Sequence, residues 1–142
     1  MIMKKTAVIY WSGTGNTEAM AQAVLAGMQE AGADAALYTT AEVTPALFDD
    51  LTGVAFGCPA MGAEVLEEMD FQPMWDEAKG LLGGKNVALF GSYGWGDGEW
   101  MRNWEEDCIS AGATLACDSV ICQDDPDDSA LAECEALGKA LQ

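Results

Sequence analysis

The sequence predicts a three-layer α/β protein with a doubly wound parallel sheet of five strands, in a single domain spanning residues 1–142. Short apolar runs rich in β-branched residues alternate along the chain with longer segments of helical periodicity. The runs are almost continuously apolar, as expected of strands that are buried on both faces of a sheet. No repeat, low-complexity segment or linker divides the chain, and its length suits one domain.

The predicted strands are short, and glycine, proline or hydroxyl residues follow most of them. They comprise residues 6–11, 35–40, 53–58, 86–92 and 113–122. The second is the weakest of the five strand patterns, so we expect it at an edge of the sheet. Two strand orders are common for such sheets, and periodicity does not distinguish them. In both orders, ligands bind at the carboxyl ends of the strands.

Helical periodicity fills the segments between the strands. Helices are predicted at residues 16–32, 70–82, 99–112 and 129–141, with one or two further turns within 43–51. In the first helix, apolar residues from Met20 to Met28 fall on one stripe, and Gly32 ends it. Pro126 lies just before the last helix, where proline is favoured.

Charge and residue types exclude several classes of function. Six lysines and arginines against 24 aspartates and glutamates give a net charge of −18, which argues against nucleic acid and anionic membrane surfaces as partners. The absence of histidine excludes serine triads, histidine-based acid–base chemistry and most zinc sites. Five scattered cysteines without a Cys-x-x-Cys motif indicate free thiols in a reducing compartment. Because no segment is long enough to cross a bilayer and none forms a signal peptide, we expect a cytoplasmic protein.

The loop between the first strand and the first helix is rich in small and hydroxyl residues. It contains Ser12, Gly13, Thr14, Gly15, Asn16 and Thr17. Backbone N–H groups, hydroxyl donors and the positive end of the helix dipole form a cradle for an anion there. The loop lacks the Gly-Lys-Ser/Thr of a Walker loop, and Glu18 stands where the dinucleotide fingerprint requires glycine. The pattern therefore favours a terminal phosphate over a dinucleotide.

The ends of the third and fourth strands carry soft and aromatic side chains. The third strand ends at Cys58, where a receiver domain would have an aspartate, which argues against phosphoacceptor signalling. The loop after the fourth strand places Trp95 between two glycines, an arrangement that suits stacking on a flat ligand. Met61, on the neighbouring strand end, offers a polarisable second face. The sequence therefore predicts a clamp around a planar ring.

Three motifs, taken together, resemble the flavodoxins of the short-chain type over essentially the whole chain. They are YWSGTGNTEAM at residues 10–20, GCPAMG at 57–62 and LFGSYGWGDGEWM at 89–101. The fifth strand leads directly to residues 123–126, without the inserted segment of long-chain members. The resemblance implies the strand order 2-1-3-4-5 and FMN as the cofactor. It also implies a low-potential one-electron carrier, not an enzyme, that uses the oxidised, semiquinone and hydroquinone states of FMN.

The resemblance also implies which residues surround FMN. The loop at residues 12–17 and Ser92 would hold the phosphate, Met61 and Trp95 would cover the two faces of the ring, and Glu64 would accept from its N3–H group. The turn Met61-Gly62-Ala63-Glu64 would be the redox-sensitive element. The full implied set is Ser12, Gly13, Thr14, Gly15, Asn16, Thr17, Pro59, Ala60, Met61, Gly62, Ala63, Glu64, Gly91, Ser92, Tyr93, Gly94, Trp95 and Gly98. Pro59 and Ala63 replace polar residues that relatives often carry.

The position of the charges predicts the kind of partner. We call the edge of the sheet at the carboxyl ends of the strands the ligand pole. Acidic residues are concentrated there, whereas the lysines fall at the opposite pole and Arg102 alone lies near the ligand. We therefore expect a monomer that docks by its acidic ligand pole onto the basic surfaces of redox enzymes. The resemblance implies reductases and ferredoxin-using oxidoreductases as these partners.

Two other functions of the same fold stay open at this point. One is an FMN-dependent NAD(P)H or quinone oxidoreductase, which needs a substrate pocket over the ring. Trp95 is expected to occupy that side, and no spare cation is available for a 2′-phosphate. The other is a flavodoxin-like activator of a radical metalloenzyme, which the sequence does not distinguish from a general carrier.

Overall fold

Parallel strands form one sheet in the computed structural model, which describes residues 5–13, 15–61, 65–94 and 96–141. The strands are β1 (Lys5–Tyr10), β2 (Asp34–Thr39), β3 (Gly53–Gly57), β4 (Asn86–Tyr93), β5 (Thr114–Leu115) and β6 (Val120–Gln123). Their order is β2-β1-β3-β4-β5, and β6 also pairs with β4. The predicted order 2-1-3-4-5 is confirmed, and the second strand lies at an edge as expected.

The fifth strand is interrupted, in contrast to the continuous strand predicted over residues 113–122. β5 pairs with Asn86 and Val87, whereas β6 pairs with residues 90–93 further along β4. Between β5 and β6, the Ser119 hydroxyl donates a hydrogen bond to Glu105 Oε2 at 2.8 Å. This bond ties residue 119 to Glu105 in the segment where the chain leaves the strand conformation, so the prediction is wrong at residues 116–119.

Helices occupy the segments where periodicity predicts them. They are α1 (Asn16–Glu30), α2 (Phe71–Ala78), α3 (Glu99–Ser110) and α4 (Asp128–Ala140), with 3₁₀ turns at Thr40–Glu42, Pro45–Asp50 and Lys79–Leu81. The last turn predicted for α2 tightens into the 3₁₀ turn, so α2 is shorter than expected. Gly32 and Gly112 follow α1 and α3 with φ of 89° and 95°, the left-handed conformation that commonly ends a helix.

The helices cover both faces of the sheet and create two buried cores. On one face, α2 and α3 pack against β3 and β4 around an aromatic cluster. In this cluster the Trp75 ring lies edge-on to Phe56 at 5.1 Å and to Trp104 at 5.7 Å. On the other face, α1 and α4 pack against the same strands through residues such as Met20 and Leu137. This arrangement is the three-layer sandwich that the sequence predicts.

Two glycines bring α1 and α4 into backbone contact. A Cβ atom at Gly27 would lie 2.0 Å from the carbonyl oxygen of Glu135, and one at Gly138 would lie 2.2 Å from that of Val24. Neither position has room for a side chain, because real Cβ atoms do not approach backbone atoms so closely. The helix that begins at the ligand pole is therefore held directly against α4.

Candidate functional site

A cleft opens at the ligand pole, where β1, β3 and β4 end side by side. It has about 580 Å³ of empty volume, including the space open to solvent. Its lining residues are Trp11, Gly13, Asn16, Pro59, Ala60, Met61, Ser92, Tyr93, Gly94 and Asp124. Apolar side chains form most of the wall after β3, while Asn16 and Ser92 supply polar groups near the start of α1. The cleft is therefore an apolar slot with hydrogen-bonding groups at one end, as expected of a small-molecule site.

The polar end of the cleft is the start of α1. Gly15 has a φ of 96° and occupies the N-cap position, where glycine brings no side-chain oxygen to the N–H groups of the first turn. The Ser12 hydroxyl accepts a hydrogen bond from the Gly15 N–H at 3.1 Å, which folds the loop over the helix end. Buried Thr17 places its hydroxyl 3.4 Å from that of Ser92 on β4. Neutral donors from two elements thus converge on a helix N-terminus, which is a favourable place for an anion.

A hydrogen-bonded loop forms the wall after β3. Ala60 N–H donates to the Ser92 carbonyl at 3.0 Å, which ties the beginning of the loop to β4. Met61 and Val65 then exchange two backbone hydrogen bonds, at 2.8 and 3.0 Å. This pair holds the backbones of residues 61 and 65 at a fixed spacing. Met61 is 36% exposed and lines the slot.

Cys58 and Glu67 support this loop from below. Cys58 is fully buried, its carbonyl accepts from Trp100 Nε1 at 3.1 Å, and its Sγ accepts from the Glu67 N–H at 3.4 Å. Burial raises the pKa of the Cys58 thiol to about 12, so the thiol stays protonated and serves as a packing group. Burial also acts to raise the pKa of Glu67, but hydrogen bonds from the N–H groups of Phe71, Asp70 and Met69 outweigh it and lower this pKa.

The structure brings the predicted residues of three loops together. The lining includes Gly13, Asn16, Pro59, Ala60, Met61, Ser92, Tyr93 and Gly94, while Ser12, Gly15, Thr17 and Gly91 lie in the elements that support them. Gly98 is instead the N-cap of α3, with a φ of 94°, outside the lining of the cleft. The remaining predicted positions, Thr14, Gly62, Ala63, Glu64 and Trp95, lie outside the described residues.

Two lining residues were not among those predicted. Trp11 follows β1, where an aromatic residue after an apolar run is easily taken for part of a buried strand. Asp124 follows β6 and has a φ of 58°, and its N–H donates to the Tyr93 carbonyl at 2.8 Å. The signal in the sequence was the polar run after the fifth strand, which is typical of a loop. Aspartate suits this position because it tolerates the left-handed conformation better than most residues.

The fold and the cleft define a class of protein, namely a doubly wound α/β protein with a binding site for a small molecule at the carboxyl edge of its sheet. A family model described as flavodoxin matches residues 8–138. The flavodoxin of Clostridium beijerinckii is 44% identical over 137 residues, with 94% of this chain and 96% of the relative covered. The chain therefore belongs to the flavodoxin family, whose members bind FMN and transfer electrons.

Further comparisons agree in sequence and in fold. The flavodoxin of Megasphaera elsdenii is 42% identical over 135 residues, covering 94% of this chain and 95% of the relative. A solution structure of two-electron reduced Megasphaera elsdenii flavodoxin superposes with a TM-score of 0.88 at 40% identity, covering 96% of this chain and 97% of that one. Within the described part of this chain, none of the helices has the length and apolar character needed to span a membrane.

Proposed function

We propose that this flavodoxin carries single electrons between redox enzymes at low potential, with FMN held in the cleft and with no catalytic reaction of its own. The observation that carries the proposal is the junction of an apolar slot with a cradle of neutral donors at the N-terminus of α1. When bound, FMN supplies the one-electron chemistry that the amino-acid side chains lack. The residues of the chain hold the cofactor, limit access of water to it and present it to partners.

The cradle suits the phosphate end of FMN. Ser12, Asn16 and Thr17 of the α1 junction, together with Ser92 of β4, offer hydroxyl and amide donors in addition to the N–H groups of the first helical turn. These donors and the helix dipole stabilise negative charge without a lysine or arginine in the loop. Thr14, which the family resemblance also assigns to the phosphate, completes this proposed set.

The apolar slot suits the ring of FMN. Met61 and Tyr93 line it from the ends of β3 and β4, and the resemblance adds Trp95 as the cover on the outer face. Glu64 would accept a hydrogen bond from the ring, and the turn at residues 62–64 would respond to its redox state. The backbone pair of Met61 and Val65 supports this assignment, because it closes the chain on both sides of that turn.

The charges around the cleft favour a basic partner. Asp124 lies in the lining, and Glu68, Asp70 and Asp97 are exposed in the neighbouring loops. Arg102, the cation expected at this pole, donates from its guanidinium to the carbonyl and the carboxylate of Asp97 at 3.1 and 3.0 Å. The acids therefore dominate the ligand pole, which would steer reductases and other redox enzymes with basic docking faces to it.

Affinity for three flavins tests the proposed cradle. We expect the apoprotein to bind FMN much more tightly than riboflavin, which lacks the phosphate, and to reject FAD. Replacing Asn16 by alanine should weaken FMN binding about tenfold or more, because a hydrogen bond to a charged group contributes about 1.5–3 kcal/mol. The same variant should bind riboflavin like the wild type. Fluorescence titration of the apoprotein measures all of these affinities.

A distant variant controls for loss of stability. Thr52→Ala removes a hydroxyl that donates to the Lys5 carbonyl at the opposite pole, and it should leave both affinities unchanged. Equal loss of FMN and riboflavin affinity in Asn16→Ala would show that the α1 junction does not hold the phosphate. Bleaching of the FMN-loaded protein by NADPH alone would indicate an oxidoreductase in place of a carrier.

A further inference from the structure

Glu67 is an acidic residue that is almost completely buried, with 5% of its surface exposed. Its carboxylate accepts three backbone hydrogen bonds, from Met69 N–H at 2.8 Å, Asp70 N–H at 2.7 Å and Phe71 N–H at 2.8 Å. A buried charge is tolerated only when it is well hydrogen-bonded, and these three donors at the start of α2 meet that requirement. The side chain of Glu67 is therefore fixed to the N-terminus of α2.

The backbone of Glu67 is fixed as well. Its N–H donates to Cys58 Sγ at 3.4 Å, and its carbonyl accepts from Gln72 N–H at 2.8 Å. Cys58 follows β3 directly, and its own carbonyl accepts from Trp100 Nε1. Glu67 thus connects three elements: the end of β3, the start of α2 and, through Cys58, the side of α3.

These bonds form one end of a frame around the loop after β3. We call Cys58, Ala60, Met61, Val65 and Glu67 the loop frame. Ala60 is tied to the Ser92 carbonyl at 3.0 Å, and Met61 and Val65 bond to each other. The frame leaves residues 62–64 as the segment between its two closing residues. Any rearrangement inside that segment must begin and end at positions that Glu67 and Ser92 help to hold.

We propose that Glu67 is a positioning residue that holds the loop frame rigid and thereby sets the potential of the first one-electron reduction of FMN. This inference rests on the proposed function, in which residues 62–64 respond to the redox state of FMN. A rigid frame lets the protein favour one arrangement of residues 62–64 over another by a fixed amount of free energy. A loose frame would move with the turn, so the two redox states would be bound with more nearly equal affinity.

If Glu67 acted only through its charge, its loss would change the second reduction and leave the first almost unchanged. The first reduction adds an electron together with a proton, so a nearby carboxylate has little effect on it. The second reduction adds negative charge, so loss of a neighbouring carboxylate makes it easier. Glu68 provides the matched control, because it carries the same charge one position along the chain but is exposed.

Three variants separate the two explanations: Glu67→Asp, Glu67→Gln and Glu68→Gln. Aspartate keeps the charge, but its side chain is one methylene shorter and cannot reach all three N–H groups from the same backbone position. We expect both Glu67 variants to lower the equilibrium constant of the first reduction threefold or more, which is about 28 mV for a one-electron couple. Glu68→Gln should leave that constant within the error of the measurement. Stepwise redox titration, followed by absorption, measures both steps in each variant.

A second measurement follows the frame without flavin. Hydrogen exchange of the Met61 and Val65 amides in the apoprotein should be at least tenfold faster in Glu67→Asp than in the wild type or in Glu68→Gln. If Glu67→Gln does not fold, Glu67→Asp still decides the question. Wild-type behaviour of Glu67→Asp in both measurements would overturn the inference, as would equal effects of Glu67→Gln and Glu68→Gln. A wild-type protein that binds no flavin would instead refute the proposed function.

Discussion

Gly91 lies where β4 passes close to the end of β3. A Cβ atom at this position would lie 2.2 Å from the carbonyl oxygen of Cys58 and 3.2 Å from the Trp100 ring. That carbonyl cannot move freely, because it accepts the hydrogen bond from Trp100 Nε1. A methyl group at residue 91 must therefore displace the backbone on which the cleft wall is built.

We expect Gly91→Ala to lower the free energy of unfolding by about 1–3 kcal/mol, as overpacking of a close-packed site does. The same displacement should weaken FMN binding. Urea denaturation of the apoprotein measures the first effect and fluorescence titration the second. Gly80→Ala is the control, since a Cβ atom there has no neighbour within 4 Å. Its stability should stay within about 0.5 kcal/mol of the wild type, and an equal loss in both variants would contradict the packing argument.

Single residues of the cleft differ in how readily the sequence reveals them. Asn16 is predictable, because hydroxyl and amide side chains at a strand–helix junction have few structural reasons to cluster, whereas Ser92 is predictable only from the family resemblance. Asp124 is not, since its place in the lining depends on a left-handed backbone conformation and a bond to the Tyr93 carbonyl. The polar run after the fifth strand indicates a loop there, but these two features arise from the tertiary structure.

The start of α2 shows how one element depends on a charge outside it. Glu67 precedes the helix by several residues, yet its carboxylate satisfies N–H groups that the helix itself leaves without partners. Burial opposes ionisation of this carboxyl, but the backbone hydrogen bonds prevail and lower its pKa. The folded state therefore favours the ionised form more than the unfolded chain does.

The sign of the pH dependence follows from this lowered pKa. The contribution of Glu67 to stability is fully present above the unfolded pKa of about 4.3 and is lost as the pH falls through the lower folded value. We expect the free energy of unfolding of the wild type to decrease as the pH is lowered through this acidic range. Glu67→Gln should be less stable at neutral pH by about 0.5–2 kcal/mol, the cost of losing a helix cap, and should depend less on pH below 4. Denaturation at several pH values measures this, and an unchanged slope would show that Glu67 is not responsible.

Whole elements are more predictable than their ends. Periodicity alone indicates the four α-helices of the described residues and the positions of the strands, because each must bury a continuous apolar face. The break between β5 and β6 is not predictable, since the contact that accompanies it, from Ser119 to Glu105, is formed only in the folded structure. The role of Glu67 is likewise hidden, because an acidic residue beside Glu68 is indistinguishable in sequence from another solvated charge.

At the scale of the molecule, charge is distributed unevenly. The net charge is −18, and several of the few cations are engaged by acids of the same chain. Lys79 lies 3.1 Å from Asp107, and Lys139 lies 3.3 Å from Glu30. The first pair is half-buried and the second is exposed, and both reduce the positive field at the surface. The excess negative charge is therefore available to attract a basic partner.

Electron transfer to a basic partner should slow as salt is added. We expect the bimolecular rate to fall several-fold between about 0.01 and 0.15 M ionic strength, over which the Debye length shortens from about 30 to about 8 Å. Stopped-flow mixing of the reduced protein with such a partner measures this rate. Reaction with a small uncharged oxidant is the control and should not change. A rate with a basic protein that is indifferent to salt would contradict docking through the acidic pole.

The contact of Gly27 and Gly138 has a consequence for the order of events during synthesis. The α1 helix emerges from the ribosome early, whereas α4, which covers its buried face, is made much later. Until α4 arrives, the side of α1 around Gly27 lacks its neighbour, and the start of α1, where Asn16 lines the cleft, stands on a helix that packs only against the sheet. We therefore expect acquisition of the flavin to depend on a contact between distant parts of the chain, so that nascent chains that lack α4 accept FMN poorly.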